Sequence, residues 1–494
     1  MRNSGLSAAT QSIVDEFQAV QLGDARLHER VRRIVTRLSE SPGDSLPDAM
    51  KTDAELEGLY RLLGNKRVAY GALVRAHAEQ TVERMAGHRT VRAVHDTTEF
   101  EFDGEVERKG LGPLRGRSEA RGFFAHATLA VAEDAVNLPL GLIGLECWAR
   151  TSSPRSGQRK KKLNGGDYAR IDDKESTRWA RQVEEVERTV EGRCSLVHVM
   201  DREADAYPLL SAMSQQGRRF VVRVARDRLV WELDDQDEPL EDIGLMPLSE
   251  ALGELPIKLE REVALSKRRA SSAPRQGRAH PDRHARPATL GISATRLALR
   301  RPPYLSEEMP HELGVNIVVV RELDAPAGQE PVAWVLATNE PIQTKEQIAA
   351  VVDHYRARWL IEEFFKALKT GCSFETRQLE SFESLTNALA LFVPIAWQML
   401  QLRALSRLRP NAPADEVLNP AQRALLRQFQ PKKMPTEGAT VRDALYAVAG
   451  LGGHLKQNGA PGWQTLARGM QTLLTLEAGW NAAAEISRQT MGKM

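Results

Sequence analysis

Two apolar runs that each end on an aspartate set the frame of this chain. The first is Val91-Arg-Ala-Val-His-Asp96, and the second is Cys194–Met200, which closes on Asp201. Between them, Phe123–Glu133 and Leu138–Trp148 read as two more strands separated by a polar turn near Asp134, and Ile171–Val190 is charged with a helical period. Beyond Asp201, Ala204–Gln216 is helical and Arg219–Val224 is a strand. The predicted order is strand, strand, strand, helix, strand, helix, strand, an alternating α/β frame with one acid at the end of each of two buried strands.

Helical sequence flanks this frame. In Arg26–Leu38, a period of about 100° per residue puts Leu27, Val31, Ile34, Val35 and Leu38 on one face. Arg26, Arg30, Arg33 and Arg37 form a stripe roughly a quarter-turn away, and Asp24 is the expected N-cap. One such arginine is an ordinary solvated residue. Four in register, with no interleaved acid on the stripe, favour contact with phosphates. Residues 226–330 interrupt the alternation with short β-like runs and turns. Within them Lys267, Arg268, Arg269, Arg275, Arg278, Arg283 and Arg286 are opposed only by Asp282. That tract reads as a loop suited to a polyanion. Trp334–Thr338 returns to strand, a long helix is expected over about 345–370, and 384–494 is helical, broken at Pro and Gly residues. The expected division is 1–85, 86–375 and 376–494.

Composition narrows the class. With 494 residues the length prior is roughly three domains, and 42% hydrophobic with 27% charged residues is a globular balance. Three widely spaced cysteines exclude a disulfide framework and any CxxC metal site, and they fit a reducing compartment. The N-terminal stretch has no apolar core of a secretory signal, so a cytoplasmic location is expected. Ser384–Leu402 is uncharged and about as long as a membrane span, but Thr386, Asn387, Pro394, Gln398 and Gln401 favour a buried core helix. Lys and Arg number 68 against 66 Asp and Glu, so any argument for nucleic acid must come from local clusters.

The helix near 360 supplies the third acid. Taking Tyr355 as origin, Arg358, Glu362, Lys366 and Lys369 fall within roughly 60° on one face, with Leu360, Ile361, Phe364 and Leu368 opposite. Evenly matched i,i+4 ion pairs would be the ordinary reading. One acid among three cations and a phenol is not balanced pairing; it resembles a metal ligand flanked by phosphate-binding groups. Glu363 turns toward the edge of the apolar face, so Glu362 is the expected ligand. Asp96, Asp201 and Glu362 holding two Mg²⁺ about 4 Å apart would serve in-line attack at a phosphodiester.

Three motifs then match a known family: His95-Asp96-Thr97-Thr98, Asp201-Arg202-Glu203-Ala204-Asp205, and Tyr355-x2-Arg358-x3-Glu362-x6-Lys369. The chain resembles bacterial cut-and-paste DDE transposases of the insertion-sequence-four group, which includes the transposon-five (Tn-five) transposase. Leu22-Gly23-Asp24 with Arg26, and Glu57-Gly58-Leu59-Tyr60-Arg61, resemble the family's N-terminal DNA-binding region; Leu451-Gly452-Gly453 and Pro461-Gly462-Trp463 resemble its C-terminal dimerisation region. The resemblance implies a ribonuclease-H-like catalytic core with a β-rich insertion, flanked by helical N- and C-terminal domains. It implies catalysis by Asp96, Asp201 and Glu362, and DNA-end contacts from Tyr355, Arg358, Lys366 and Lys369. It further implies that Trp334 stacks on a flipped base and that Arg223 contacts a DNA hairpin. Where the family has a lysine two residues after Arg223, this chain has Ala225 and then Arg226, which is the expected substitute. The implied cofactor is Mg²⁺, with Mn²⁺ as substitute. The implied partners are double-stranded transposon ends and target DNA, with a homodimer in the synaptic complex, a nucleoid association and no membrane.

Three rivals stand beside this reading. A phosphohydrolase using Asp96 as nucleophile wants a second acid two residues on, where Thr98 stands. A silent DNA-binding regulator is disfavoured by the intact triad. A ribonuclease-H-like nuclease without strand transfer shares the triad and differs only in its flanks.

Overall fold

The computed structural model describes residues 13–102, 108–115, 117–134, 137–150, 175–234, 236–240, 242, 244–265, 283–455 and 459–491. Most of the basic tract, Lys267 through Arg278, lies outside the described residues.

The N-terminal region is built from amphipathic helices. α1 (Ala25–Glu40) starts where the Asp24 carboxylate accepts the Arg26 N–H, and it buries Leu27, Val31, Ile34, Val35 and Leu38, the face that the period predicts. α2 (Asp53–Leu63) packs across it, capped by Thr52. α3 (Tyr70–Met85) leads to the sheet.

The first strand is β1 (Thr90–Glu101); β2 (Gly112–Leu114), β3 (Arg117–Ala132) and β4 (Pro139–Trp148) follow. α4 (Glu175–Val190) crosses to β5 (Ser195–Met200), and α5 (Tyr207–Gln215) crosses to β6 (Arg219–Arg223). In space these strands run β4-β3-β1-β5-β6, the first pairs antiparallel and β1-β5-β6 parallel. That is the ribonuclease-H-like order. The parallel steps require crossover helices, which α4 and α5 supply.

The β-rich segment is not a separate lobe. Its strands β7 (Leu229–Glu232), β8 (Met246–Pro247), β9 (Leu259–Leu265), β10 (Arg286–Arg300) and β11 (Glu312–Glu322) join the same sheet through β12 (Ala333–Thr338), which pairs antiparallel with β6. The result is one twelve-stranded sheet. Val315, Ile317 and Val319 face the cluster that also holds Phe220 and Val222, so the extension shares the core's apolar layer.

Helix α6 (Lys345–Ala357) and α7 (Trp359–Lys366) return the chain to β1. α8 (Phe382–Leu408) is the one described helix long and apolar enough to cross a membrane, and 78% of its apolar window is buried inside the protein. It packs on α3 and β4, in the cluster that runs from Leu27 and Leu59 through Val94 and Val197 to Phe392. Asn387 fixes this junction: its side-chain N–H groups donate to the carbonyls of Leu63 and Val68 at 2.9 and 3.0 Å.

α9 (Pro420–Phe429), α10 (Val441–Leu451) and α11 (Trp463–Met491) complete the chain. α10 and α11 touch backbone to backbone. A Cβ on Gly452 would lie 2.0 Å from the Thr465 carbonyl, and one on Gly469 would lie 1.9 Å from that of Val448. Trp463, of the motif that resembles a dimerisation region, is buried within this chain, as are Leu466, Leu473 and Leu474 beyond it; Trp480 is exposed, at 56%.

Candidate active site

The parallel pairing of β1 and β5 runs from Thr90 opposite Ser195 to Val94 opposite Val199. Continued by two residues on each strand, that register brings Asp96 level with Asp201. Both follow a buried valine at i−2, so both point to the same face.

Glu362 arrives from the helical side. The expected continuous helix over 345–370 is broken. α6 starts with a Thr344/Gln347 capping box and ends at Ala357; Arg358 turns tightly, its N–H bonding the Tyr355 carbonyl at 3.1 Å. α7 then runs to Lys366 and relaxes into a wider π turn over Ala367–Gly371. The break leaves Arg358 between the two walls of the site. Its Nη1 donates to Asp96 Oδ2 at 3.1 Å and its Nη2 to Glu362 Oε1. Asp96 Oδ1 also accepts the Thr97 N–H at 2.8 Å, and Asp201 Oδ1 accepts that of Glu203 at 2.7 Å.

Electrostatics bind the three acids into one unit. Burial pushes Asp96 up to about 7, with the charges of Asp201 and Glu362 adding to the rise and Arg358 opposing it. Burial likewise raises Asp201, helped by Glu203. Burial works against the charge on Arg358, but Glu362, Tyr355 and Asp96 outweigh it and the guanidinium stays protonated. A crowded, all-oxygen, anionic set of this kind fits a hard divalent cation by its chemistry. Here the compensating cation is Arg358, and among the described residues no three ligating side chains converge closely enough to hold a single ion.

One wall is aromatic. Tyr355 is buried, with Trp334 edge-on at 5.4 Å and the Arg358 guanidinium 5.9 Å from its ring centre. Burial raises the Tyr355 phenol, while Arg358 and the hydrogen-bonding Arg223 oppose the rise. Arg223 ends β6, facing Leu336 of β12. The structure therefore gathers Asp96, Asp201, Glu362, Arg358, Tyr355, Trp334 and Arg223. Lys369 stands at the far end of β1, bonded to the Glu99 carbonyl and 3.2 Å from Glu375. Lys366 is not with them. It bonds Glu363 at 2.9 Å and covers the exposed ring of Trp359 at 4.6 Å. The reason is Glu363, 5% exposed: burial alone would raise it, but Lys366 and Arg403 bring it below the usual range. A helical wheel cannot show that demand.

Sequence reading passed over Asp205. It is 2% exposed, and its Oδ2 accepts the N–H groups of Ala225 at 2.7 Å and Arg226 at 2.9 Å. Its Oδ1 pairs with Arg228, whose Nη2 also donates to the Asp205 carbonyl at 2.8 Å. Asp205 thus shapes the turn after Arg223 through the backbone, and the Arg226 side chain is left exposed. The visible signal was a second aspartate four residues after Asp201; its partners lie 20 or more residues away.

The N-terminal stripe is shorter than the wheel predicts. Arg37 is held by Glu55 at 2.8 Å and Glu40 at 3.4 Å, and Arg33 meets Glu29 at 3.1 Å. Glu55 belongs to α2, so no reading of α1 alone could include it. Arg26 and Arg30 have no ion pair among the described residues. Together with Arg33 and Arg37 they line a groove of 720 Å³ between α1 and α2.

The fold and this geometry define an α/β protein with a crowded carboxylate centre and a helical N-terminal module packed into the same core. Residues 9–68 match the family described as transposase DNA-binding, and residues 172–393 match the transposase DDE domain. The chain thus carries the two parts of a DNA transposase. The DDE match spans Asp201 and Glu362 and begins after Asp96. Among solved structures, the piggyBac transposase synaptic complex with hairpin DNA is similar at 9% identity and a TM-score of 0.31, over 88% of this chain and 82% of that one.

Proposed function

We propose that this chain is a cut-and-paste transposase of the insertion-sequence-four type, which cleaves transposon ends and joins their 3′ ends to target DNA. The observation that carries this reading is the level register of Asp96 and Asp201, with Arg358 joining Asp96 to Glu362. Asp96, Asp201 and Glu362 would hold two Mg²⁺, or Mn²⁺ in their place, which when bound supply Lewis-acid activation at the attacking hydroxyl and the leaving oxygen. The remaining work falls to the side chains. Arg358 holds the scissile phosphate and neutralises it. Tyr355 and Lys369 hold the strand around it, and Lys366, committed to Glu363 on the outer face of α7, stands outside this grip. Trp334 offers a half-exposed face to a flipped base, and Arg223 and Arg226 steady a hairpin end. Arg26, Arg30 and Arg33 fix the register of the duplex, with Arg37 bracing the groove wall. A second copy of the chain holds the other end, with exposed Trp480 at the contact, and the working location is the bacterial nucleoid.

The test is gel analysis of purified protein with Mg²⁺ and the terminal DNA of its own element. Asp96→Ala, Asp201→Ala and Glu362→Ala should each lower cleavage by on the order of 10³-fold or more and leave end binding within about threefold, because affinity comes mostly from basic contacts. A mutant that still nicks removes its residue from the triad. Nicking without joining by the wild type supports the nuclease reading instead.

A further inference from the structure

Backbone pairing between β1 and β5 stops at Val94 and Val199, one step short of the aspartates. Something else must hold Asp96 level with Asp201. On the opposite face of the same two strands lie His95 and His198, both fully buried, with His95 Nε2 2.9 Å from His198 Nδ1. The contact crosses from β1 to β5 where the ladder ends.

Each histidine is anchored outward. His198 Nε2 lies 2.9 Å from Glu187 Oε1, and His95 Nδ1 lies 3.0 Å from Thr128 Oγ1. Thr128 in turn accepts from Gln182 Nε2 at 3.2 Å. Glu187 and Gln182 are both on α4, so the chain of bonds leaves that helix, crosses β5, β1 and β3, and returns to it. The proton positions follow from the partners. A carboxylate only accepts, so His198 carries its proton on Nε2 and accepts at Nδ1. His95 then donates from Nε2 and accepts at Nδ1 from the Thr128 hydroxyl. With His198 accepting at Nδ1, every bond points one way, from Gln182 to Glu187. The residue after Asp96 is pinned too: the Thr97 hydroxyl bonds His126 Nδ1 at 2.8 Å, while its N–H holds Asp96 Oδ1.

We propose that the Gln182–Thr128–His95–His198–Glu187 chain is a positioning device that fixes the spacing of Asp96 and Asp201 from behind the sheet. The inference rests on the assignment of those two aspartates to the catalytic centre. His95, His198 and Thr128 are positioning residues; none touches DNA.

The test uses full-length protein with its end DNA and compares Thr128→Val, which removes one hydroxyl at constant shape, with Glu187→Leu and Glu187→Gln. Glu187 is half-exposed, and glutamine keeps an oxygen that accepts from His198. Thr128→Val and Glu187→Leu should raise the Mn²⁺ concentration for half-maximal nicking about tenfold, the scale of losing a partner that orients ligands, while Glu187→Gln stays near wild type. Direct Mn²⁺ binding, followed by electron paramagnetic resonance on the protein–DNA complex, should weaken in parallel, and end-DNA affinity should not move. Leu426→Ala, in the separate C-terminal core cluster, serves as the control for lost stability alone. If Thr128→Val and Glu187→Leu melt lower, as that control does, but bind Mn²⁺ like wild type, the chain is structural only and the proposal fails. Imidazole ¹⁵N spectra that put the His198 proton on Nδ1 would also overturn it. If Asp96→Asn still nicks, the catalytic assignment falls and takes this inference with it; if Asp96→Asn is dead while Mn²⁺ dependence ignores Thr128 and Glu187, only the inference falls.

Discussion

The two faces of the β1–β5 pair solve opposite problems. The front carries Asp96 and Asp201, crowded anions whose charge Arg358 balances. The back carries His95, His198 and, across on β3, His126, fully buried and with no acid touching His95 or His126. The front is a crowd of anions balanced by one cation; the back runs through hydrogen-bonded imidazoles and reaches a carboxylate, Glu187, only at its outer end. Strands with such unlike faces teach that a charged centre can be braced from behind by a hydrogen-bonded network whose one carboxylate, Glu187, sits at its edge on α4.

The largest way to break this comparison is to remove the balancing cation. Arg358→Ala should lower the cleavage rate by about 10²-fold and change DNA affinity by less than about threefold, as expected of a group that orients a reacting phosphate. Single-turnover rates beside filter binding separate the two. If affinity falls as much as rate, Arg358 is an ordinary phosphate contact.

The buried histidines, on the back face and beyond it, should respond to acid. Burial depresses His126 and His354 to about 3, and it depresses His77 and His95 as well. Each binds its proton less readily in the folded chain than in the unfolded one, where imidazole titrates near 6.5. Through these four histidines the unfolded state takes up more protons below that pH, so stability falls as pH drops from about 6.5 toward 4, against a smaller opposite contribution from Asp96 and Asp201, which the folded state protonates first. The limiting slope is about 1.4 kcal/mol per pH unit for each such histidine. Urea melts at pH 7.5, 6.0 and 5.0 check this, and a flat profile would contradict neutral burial.

The smallest effect is reserved for a cation beside the front face but not on it. Lys366→Ala should change cleavage less than about threefold, since its partner is Glu363 and that carboxylate keeps Arg403 at 3.5 Å. A loss approaching that of Arg358→Ala would mean Lys366 leaves Glu363 when DNA binds.

Much of the frame was legible. The order of strands and helices from Val91 to Val224, the Asp24 cap and the apolar face of α1 all follow from local period and capping, which neighbours in sequence dictate. What escaped depends on distant partners. Glu55 claims Arg37, buried Glu363 claims Lys366, and Asp205 reaches Ala225 and Arg228. The break at Arg358 escaped as well, because Arg358 and its neighbours carry no proline or glycine to announce it. The continuity of the β-rich segment with the sheet was hidden for a related reason: pairing of β12 with β6 joins residues more than 100 apart.

Asn387 on α8 bonds the carbonyls that close α2, and Arg377 bonds those of Pro42 and Asp44 just beyond α1. The groove of Arg26 and Arg30 therefore does not swing on a tether; it is bolted to the body that holds Asp96. On the proposed reading that groove is the grip and the Asp96 site the blade, and these contacts fix the separation between them like the jaws of a gauge. A duplex that touches both must offer its recognised bases at one distance and one helical phase from the cut. Inserting a single base pair between them shifts that phase by roughly a tenth of a turn, an error this scaffold has no hinge to absorb.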